Sequence, residues 1–546
     1  MSKRSSLSRR KFISFGSSAS FIGLCQSPAV ALFTTILGGQ SQKAWAQSLG
    51  IRPRALVQIL EGGSPLRTPS DSFLTPYSTE GFDRNPMVAT RFQNIGGRNA
   101  VPEYHTVSMH GVNVPTMWSY NLPGPSGTQR PMGSLLQNLI SIQGVTTRNA
   151  GHGSSQEWHF LAPGAIKSTS ALPADVSEDP FAGININASG YSFRSTRSKT
   201  AVSLGTGGNM LTTLLDPFRP LGTTQFQANK QALREAYNSI LPSLDRMARE
   251  GHPGAEALVQ NRDSALELAA YNFAALGTQW TDLLNKYRDI IARAIFDPSN
   301  PLPGLTDAPI GEESIPSRNA ALYRIVDTST LNLHQASDFR TCVDSRTTIG
   351  GLAESFAFTE YVLLNHLSSS IAFGVGGFGP LIRPDGSLST ESLGNDQHTC
   401  GVYPATFFNI LRHRAVYAGM LELIEQLKAA NLFTETIISL SGEFNRNPRA
   451  DMTGSDHGFT GKVLNLYSGA FPGPLMIGNL MNDGRMGWGS GALMPQLGGR
   501  QLNLVDTAVT LCHLVGVPPV FTSTNTLVTL GTNGLVSNIG TTRHIV

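Results

Sequence analysis

Charge is scarce in this chain. Asp, Glu, Lys and Arg together make up 14% of its 546 residues, and the formal net charge is +3. Beyond the first 46 residues no cluster of Lys and Arg forms the basic face that nucleic-acid binding requires, so no nucleic-acid partner is expected. Cysteine is scarce too: Cys25, Cys342, Cys400 and Cys512 show no zinc-finger or zinc-ribbon spacing. They make no disulfide framework, although Cys342 and Cys400 could pair in an oxidising compartment. No uninterrupted apolar run reaches the roughly 18 residues of a membrane span. A Gly-x-Ser-x-Gly elbow is also missing, which counts against a metal-free serine hydrolase. Glycine, by contrast, is plentiful at 56 residues and suits a compact, loop-rich exported protein.

Residues 1–46 read as an export leader. Basic residues come first, with Arg9 and Arg10 paired inside Ser8-Arg9-Arg10-Lys11-Phe12-Ile13. A moderately apolar stretch broken by Gly, Ser, Gln and Pro follows, and Ala44-Trp45-Ala46 closes it. That order is a signal peptide cleaved after Ala46. The twin arginines point to the Tat export machinery, which carries folded proteins, and hence to a periplasmic or otherwise exported location; an ordinary Sec signal is the alternative. Leu24, before Cys25, is too large for a lipoprotein cleavage site. Removing 1–46 takes away six basic residues and no acidic one, so the remaining 500 residues carry a formal charge of −3. No membrane span is expected to remain.

Arg54–Leu60 is a short apolar run that turns at Glu61-Gly62-Gly63, as a buried strand does. Leu135–Val145 reads as a helix end running into a strand, which opens on the loop Thr146–Phe160. Ser370–Val375, Thr436–Leu440 and Lys462–Tyr467 read as further strands. Residues 404–432 read as a helix with Phe407, Ile410, Leu411, Tyr417, Met420, Leu421, Ile424 and Leu427 on one stripe. Strand, polar loop, helix, strand, polar loop is the order of βαβ units, so the expected class is α/β with a mostly parallel sheet. Residues 225–296 carry apolar positions three and four apart and read as two or three amphipathic helices. With the Pro-rich 297–317 they make a helical insertion at about 225–317 in a domain spanning 47–546.

In such sheets ligands bind beyond the carboxyl ends of the strands, and two polar loops leave predicted strand ends. One carries Asp396-Gln397-His398; the other carries Glu443 and then Asp456-His457. If the loops meet, two carboxylates and two imidazoles share one site. Those donors suit a divalent ion, with Zn, Mn, Fe, Ca and Mg not distinguished. Such an ion could clamp a phosphate or sulfate ester. Each short motif also occurs as a plain polar turn; their equivalent places in the topology carry the metal reading. Ser154 could be a hydroxyl nucleophile at a helix start, or only the cap of that helix. His152 and His159 flank it, and His152 is the preferred additional ligand. Glu443 could orient a metal-bound histidine and Arg446 could grip an anion, or the two could simply brace their loop.

In order, Gly376-Gly377, Asp396-Gln397-His398, the helix 404–432, Glu443-Phe444-Asn445-Arg446-Asn447-Pro448 and Asp456-His457 resemble the twin-arginine-exported family called domain of unknown function 1501. That family is similar to the alkaline phosphatase and sulfatase superfamily. Gly144–His152 resembles the loop after the family's second core strand, and 504–519 its closing helix. The resemblance covers most of 47–546 outside 225–317. It implies an alkaline phosphatase-like fold with helices on both faces of the sheet, and a metal-dependent hydrolase of phosphate or sulfate esters. Asp396, His398, Asp456 and His457 would hold the ion, with Ser154, Glu443 and Arg446 in the catalytic machinery. Two departures matter: residues 378–395 are an insertion between Gly377 and Asp396 that would shift the Asp-x-His loop, and the family's Asp after the first strand is missing, because the chain runs Glu61-Gly62-Gly63-Ser64-Pro65-Leu66. Glu61 could replace it as a ligand. Otherwise the site holds one ion, or is degenerate in a non-catalytic exported binding or assembly protein.

Overall fold

The computed structural model describes residues 53–72, 89–95, 99–211, 242–251, 273–297 and 336–537 apart from short gaps within them, and a few positions at 302, 323–325 and 544–545. The leader expected over 1–46 lies outside those residues, as does most of the insertion expected at 225–317.

In chain order the main elements begin with strands β1 (Ala55–Glu61) and β2 (Leu139–Val145), helix α1 (His152–Phe160), and strands β3 (Ile184–Ile186) and β4 (Val202–Leu204). Helices α2 (Phe273–Ile295) and α3 (Leu352–Leu364), strand β5 (Ser370–Gly374), helix α4 (Val402–Ala429) and strand β6 (Thr436–Gly442) follow. The chain continues through strands β7 (Asn445–Pro448), β8 (Ser455–Gly458), β9 (Lys462–Tyr467) and β10 (Leu475–Gly478), helix α5 (Leu504–Val515) and strand β11 (His544–Ile545).

Nine of these strands form one sheet in the order β4-β3-β5-β1-β6-β9-β2-β10-β11. All neighbours are parallel except those of β9, which runs against both β6 and β2. The exception has a simple cause. Parallel strands need a long crossover between them, and the segment between β6 and β9 holds only the β7–β8 hairpin, so the chain comes straight back.

Side chains alternate across the sheet. Val57, Ile59, Ile438 and Leu440 join the apolar cluster of α2, α3 and α4 on one face. Leu56, Ile437, Ile140 and Ile142 join that of α5 on the other. The fold is thus α/β with helices on both faces of a large, mostly parallel sheet. Full burial of each Leu, Ile or Val stabilises the fold by about 1.5–3 kcal/mol. Among the described residues no helix is long and apolar enough to cross a membrane.

Two expectations change. The apolar stripe on α4 implies a polar outer face, but every residue from Val402 to Ile424 is buried. Helices α2 and α3 pack on α4, and Arg412 and His413 are buried beside Glu61 and Phe378, with Arg414 buried as well. Cys342 and Cys400 do not pair; each is buried without a disulfide.

Candidate metal centre

The register of the sheet gathers the site. Glu61 is level with Gly442 and Leu60 with Gly374, so the loops after β1, β5 and β6 leave one edge together. Val145, the last residue of β2, pairs with Lys462 at the start of the antiparallel β9, which brings the loop into α1 to the same edge. The two motif-bearing loops meet there although β1 separates their strands.

Gly63 and Gly454 permit the close approach. Gly63 has φ +83°, and a Cβ on it would lie 2.9 Å from the Asp396 amide nitrogen. At Gly454 a Cβ would lie 1.9 Å from the His398 carbonyl oxygen. Any other residue at either position would push the loops apart. Between Asp396 and His398, Gln397 is buried. It exchanges hydrogen bonds with Asn409 of α4 at 3.0 and 2.8 Å. That lock leaves its two neighbours at the surface.

His152, Asp396, His398 and His457 each offer one donor atom, and the four atoms lie within 4.8 Å of one another. His152 Nε2 is 3.1 Å from Asp396 Oδ2, and His398 Nε2 is 3.4 Å from Asp396 Oδ1. The Nε2 atoms of His398 and His457 face each other at 2.8 Å. Donors around a tetrahedral ion with bonds of about 2.0–2.2 Å sit about 3.3 Å apart, so the cluster could hold a metal ion. Two imidazole nitrogens turned toward each other need either a proton between them or a shared cation. Exposures of 34% for His152, 45% for Asp396, 36% for His398 and 22% for His457 leave the cluster open to solvent.

Each of these groups has a support. His152 is the first residue of α1, and its Nδ1 is 2.5 Å from Glu443 Oε1. With Nδ1–H donating to that carboxylate, the lone pair of Nε2 points into the cluster, as in carboxylate–histidine–metal arrangements. Glu443 Oε1 also accepts from the Gly63 amide at 3.0 Å. Burial pushes the Glu443 carboxyl upward in pKa, opposed by its hydrogen bond and charge contact with His152. Phe444 packs against both rings, 5.2 Å from His152 and 4.4 Å from His457.

Asp396 is gripped by Arg446, whose guanidinium also donates to the carbonyls of Ser64 at 2.8 Å and Gly63 at 2.6 Å. Burial acts to raise the Asp396 pKa, but Arg446 and the neighbouring histidines outweigh it and hold it below the ordinary value. Arg446 is itself buried. It therefore positions Asp396 and is not exposed to grip an incoming anion.

Asp456, expected among the ligands, lies beside the four clustered residues. Adjacent residues on a strand face opposite ways. In the β7–β8 hairpin His457 is opposite Arg446 and Asp456 opposite Asn447. Asp456 pairs with Arg449 at 2.7 Å and stands 3.7 Å from His398 Nδ1. The Arg449 hydrogen bond holds its pKa down against the effect of burial.

Glu61 is not a donor of the cluster either. It is fully buried beneath the site, with Oε2 taking Arg67 Nη1 at 2.9 Å and Oε1 3.3 Å from His413 Nε2. Burial alone would raise its pKa, but His413, Arg67 and Arg412 hold it at about 2. Arg67 also forks onto Asp71, which accepts from Tyr417 at 3.2 Å and Asn465 at 2.6 Å. Ser154 is exposed in the first turn of α1. It does not cap the helix, because the N-cap is Gly151. Gly63, in the turn after β1, follows from the sequence, whereas the role of Lys462 depends on distant partners.

No protein-family model, curated protein or solved structure matches the chain.

Proposed function

We propose that this chain is an exported, metal-dependent hydrolase of phosphate or sulfate esters with an alkaline phosphatase-like fold. The observation that carries the reading is the convergence of His152, Asp396, His398 and His457 at the carboxyl edge of the sheet, with His152 oriented by Glu443. The order of motifs, which resembles that of the twin-arginine-exported family, supports it, and so does the α/β architecture. Three imidazoles and a carboxylate suit a transition-metal ion such as zinc. The ion would supply Lewis acidity toward an ester oxygen and lower the pKa of a bound water.

The protein's own residues do the rest. Glu443 fixes the His152 tautomer, and Phe444 fixes the ring planes. Arg446 holds Asp396 ionised and aimed at the cluster. Ser154, exposed at the start of α1, is the available hydroxyl nucleophile, and the free amides of that helix end favour an anionic group beside it.

The test is the metal content of protein produced with its leader and purified without chelators. It is followed by hydrolysis of aryl phosphates and aryl sulfates before and after metal removal. Stoichiometric metal with metal-dependent turnover supports the reading, and absence of metal after zinc is supplied overturns it. A second reading, a non-catalytic exported binding or assembly protein, is favoured by one observation: Arg67 pairs with both buried carboxylates beneath the site, Glu61 and Asp71. Bound metal without turnover of any ester would select it.

A further inference from the structure

Lys462 opens β9 and is buried, with 2% of its side chain exposed. Its Nζ lies 3.0 Å from His159 Nδ1 and 3.3 Å from the main-chain carbonyl oxygen of Glu443. Burying an amine is costly, and here burial outweighs the attraction of Glu443 and brings its pKa down to about 7. A residue this unfavourable for an apolar strand calls for a reason in its contacts.

The contacts close a ring. His159 follows His152 by seven residues in α1, two turns on, so both lie on one face of the helix. The first end of that face is tied to the Glu443 carboxylate through His152 Nδ1 at 2.5 Å. The second end is tied through His159 and Lys462 to the Glu443 backbone. Burial, Lys462 and Arg67 push the His159 pKa well down, so its neutral ring can accept from the amine at Nδ1. Helix α1 has no side-chain N-cap; Asn149 accepts from the Gly151 amide and the Ser155 hydroxyl at its start, and these two ties hold the helix against Glu443.

We propose that Lys462 is a positioning residue of the metal centre: by bridging His159 to the Glu443 carbonyl, it sets the separation between His152 and the carboxylate that orients it. The proposal rests on the metal-centre reading above, and its test separates the two.

Zinc affinity is measured by competition with a chromophoric chelator for the wild type, Lys462→Met, His159→Leu and the double variant. In metal-free protein the low-field proton resonance of the His152–Glu443 hydrogen bond is recorded, identified by its loss in His152→Ala. Each single variant should weaken zinc binding by about tenfold, the lower end for residues that support metal ligands, and shift or broaden the resonance. The double variant should lose little more, because the two residues form one link. Folded variants with wild-type zinc affinity and an unmoved resonance would overturn the proposal. Should Lys462→Met fail to fold, His159→Leu decides. Should the wild type bind no zinc, the metal reading falls, and the resonance alone decides the role of Lys462.

Discussion

Asp456 and His457 are neighbours in the chain and face opposite ways: across the β7–β8 hairpin His457 stands opposite Arg446, and Asp456 opposite Asn447. The consequence is unequal roles. His457→Ala should abolish stoichiometric zinc binding, because it removes one of four converging donors. Asp456→Ala should weaken binding by no more than about tenfold, the scale of a residue that only supports a ligand. Metal analysis of the two variants after dialysis against zinc checks this. Equal loss in both would place Asp456 in the coordination sphere.

Glu443 acts through His152, 2.5 Å away. Glu443→Gln keeps an oxygen acceptor but removes the negative charge that makes the imidazole a stronger donor. Zinc affinity should fall by about 10–100-fold. Burial disfavours the charge of this carboxyl, so the neutral amide should leave the unfolding midpoint nearly unchanged. A large loss of stability without loss of zinc would show that Glu443 is only a brace.

Much of this site can be read from the sequence, and the limits have physical causes. The strands announce themselves as short apolar runs ending in Gly or polar residues, and β1, β6 and β9 lie within two residues of their expected ends. Asp396 and His398 follow from their two-residue spacing. Asp456-His457 reads as a loop able to turn both side chains to one point, whereas pairing with β7 makes it a strand, with Asp456 on Arg449 and His457 in the cluster. The burial of Arg412 and His413 was illegible, because their partners Glu61, Phe378 and the Leu393 carbonyl come from segments distant in the chain. Lys462 was illegible for a similar reason: its partners come from segments 303 and 19 residues away.

Arg67 serves two fully buried carboxylates, Glu61 and Asp71. Arg67→Met takes the main cation from Asp71 and leaves Glu61 only His413 and Arg412, and should destabilise the protein by about 3–5 kcal/mol. Adding Glu61→Gln and Asp71→Asn should recover a large part of that loss, since those charges are then gone. Urea unfolding of the single and triple variants reads both effects. A loss under about 1 kcal/mol in the single variant would mean that water reaches the pair.

Ser154 is exposed and makes no helix cap. Ser154→Ala should therefore change stability by less than about 0.5 kcal/mol. If Ser154 is the nucleophile, ester hydrolysis should fall by orders of magnitude while zinc content stays whole. Unchanged turnover would remove a covalent step through this serine.

Lys462 gives the fold a pH dependence whose sign is fixed. Its pKa is about 7 in the folded protein and about 10.4 in an unfolded chain. Below pH 7 both states hold the proton, and the full penalty of burying the charge applies. Between the two values the unfolded state alone keeps the proton. Stability from this group therefore rises with pH there, by at most about 1.4 kcal/mol per unit. Above the upper value both states are neutral and the penalty is gone. Other groups near Nζ, including Glu443, His159 and Arg67, titrate or stay charged in both proteins, so the comparison with Lys462→Met cancels most of their effect. Denaturant unfolding in the presence of EDTA at pH 7, 8 and 9 should show the wild type gaining steadily on the variant. A constant difference across that range would mean that the Lys462 amine has an ordinary pKa, and that water reaches it between His159 and Glu443.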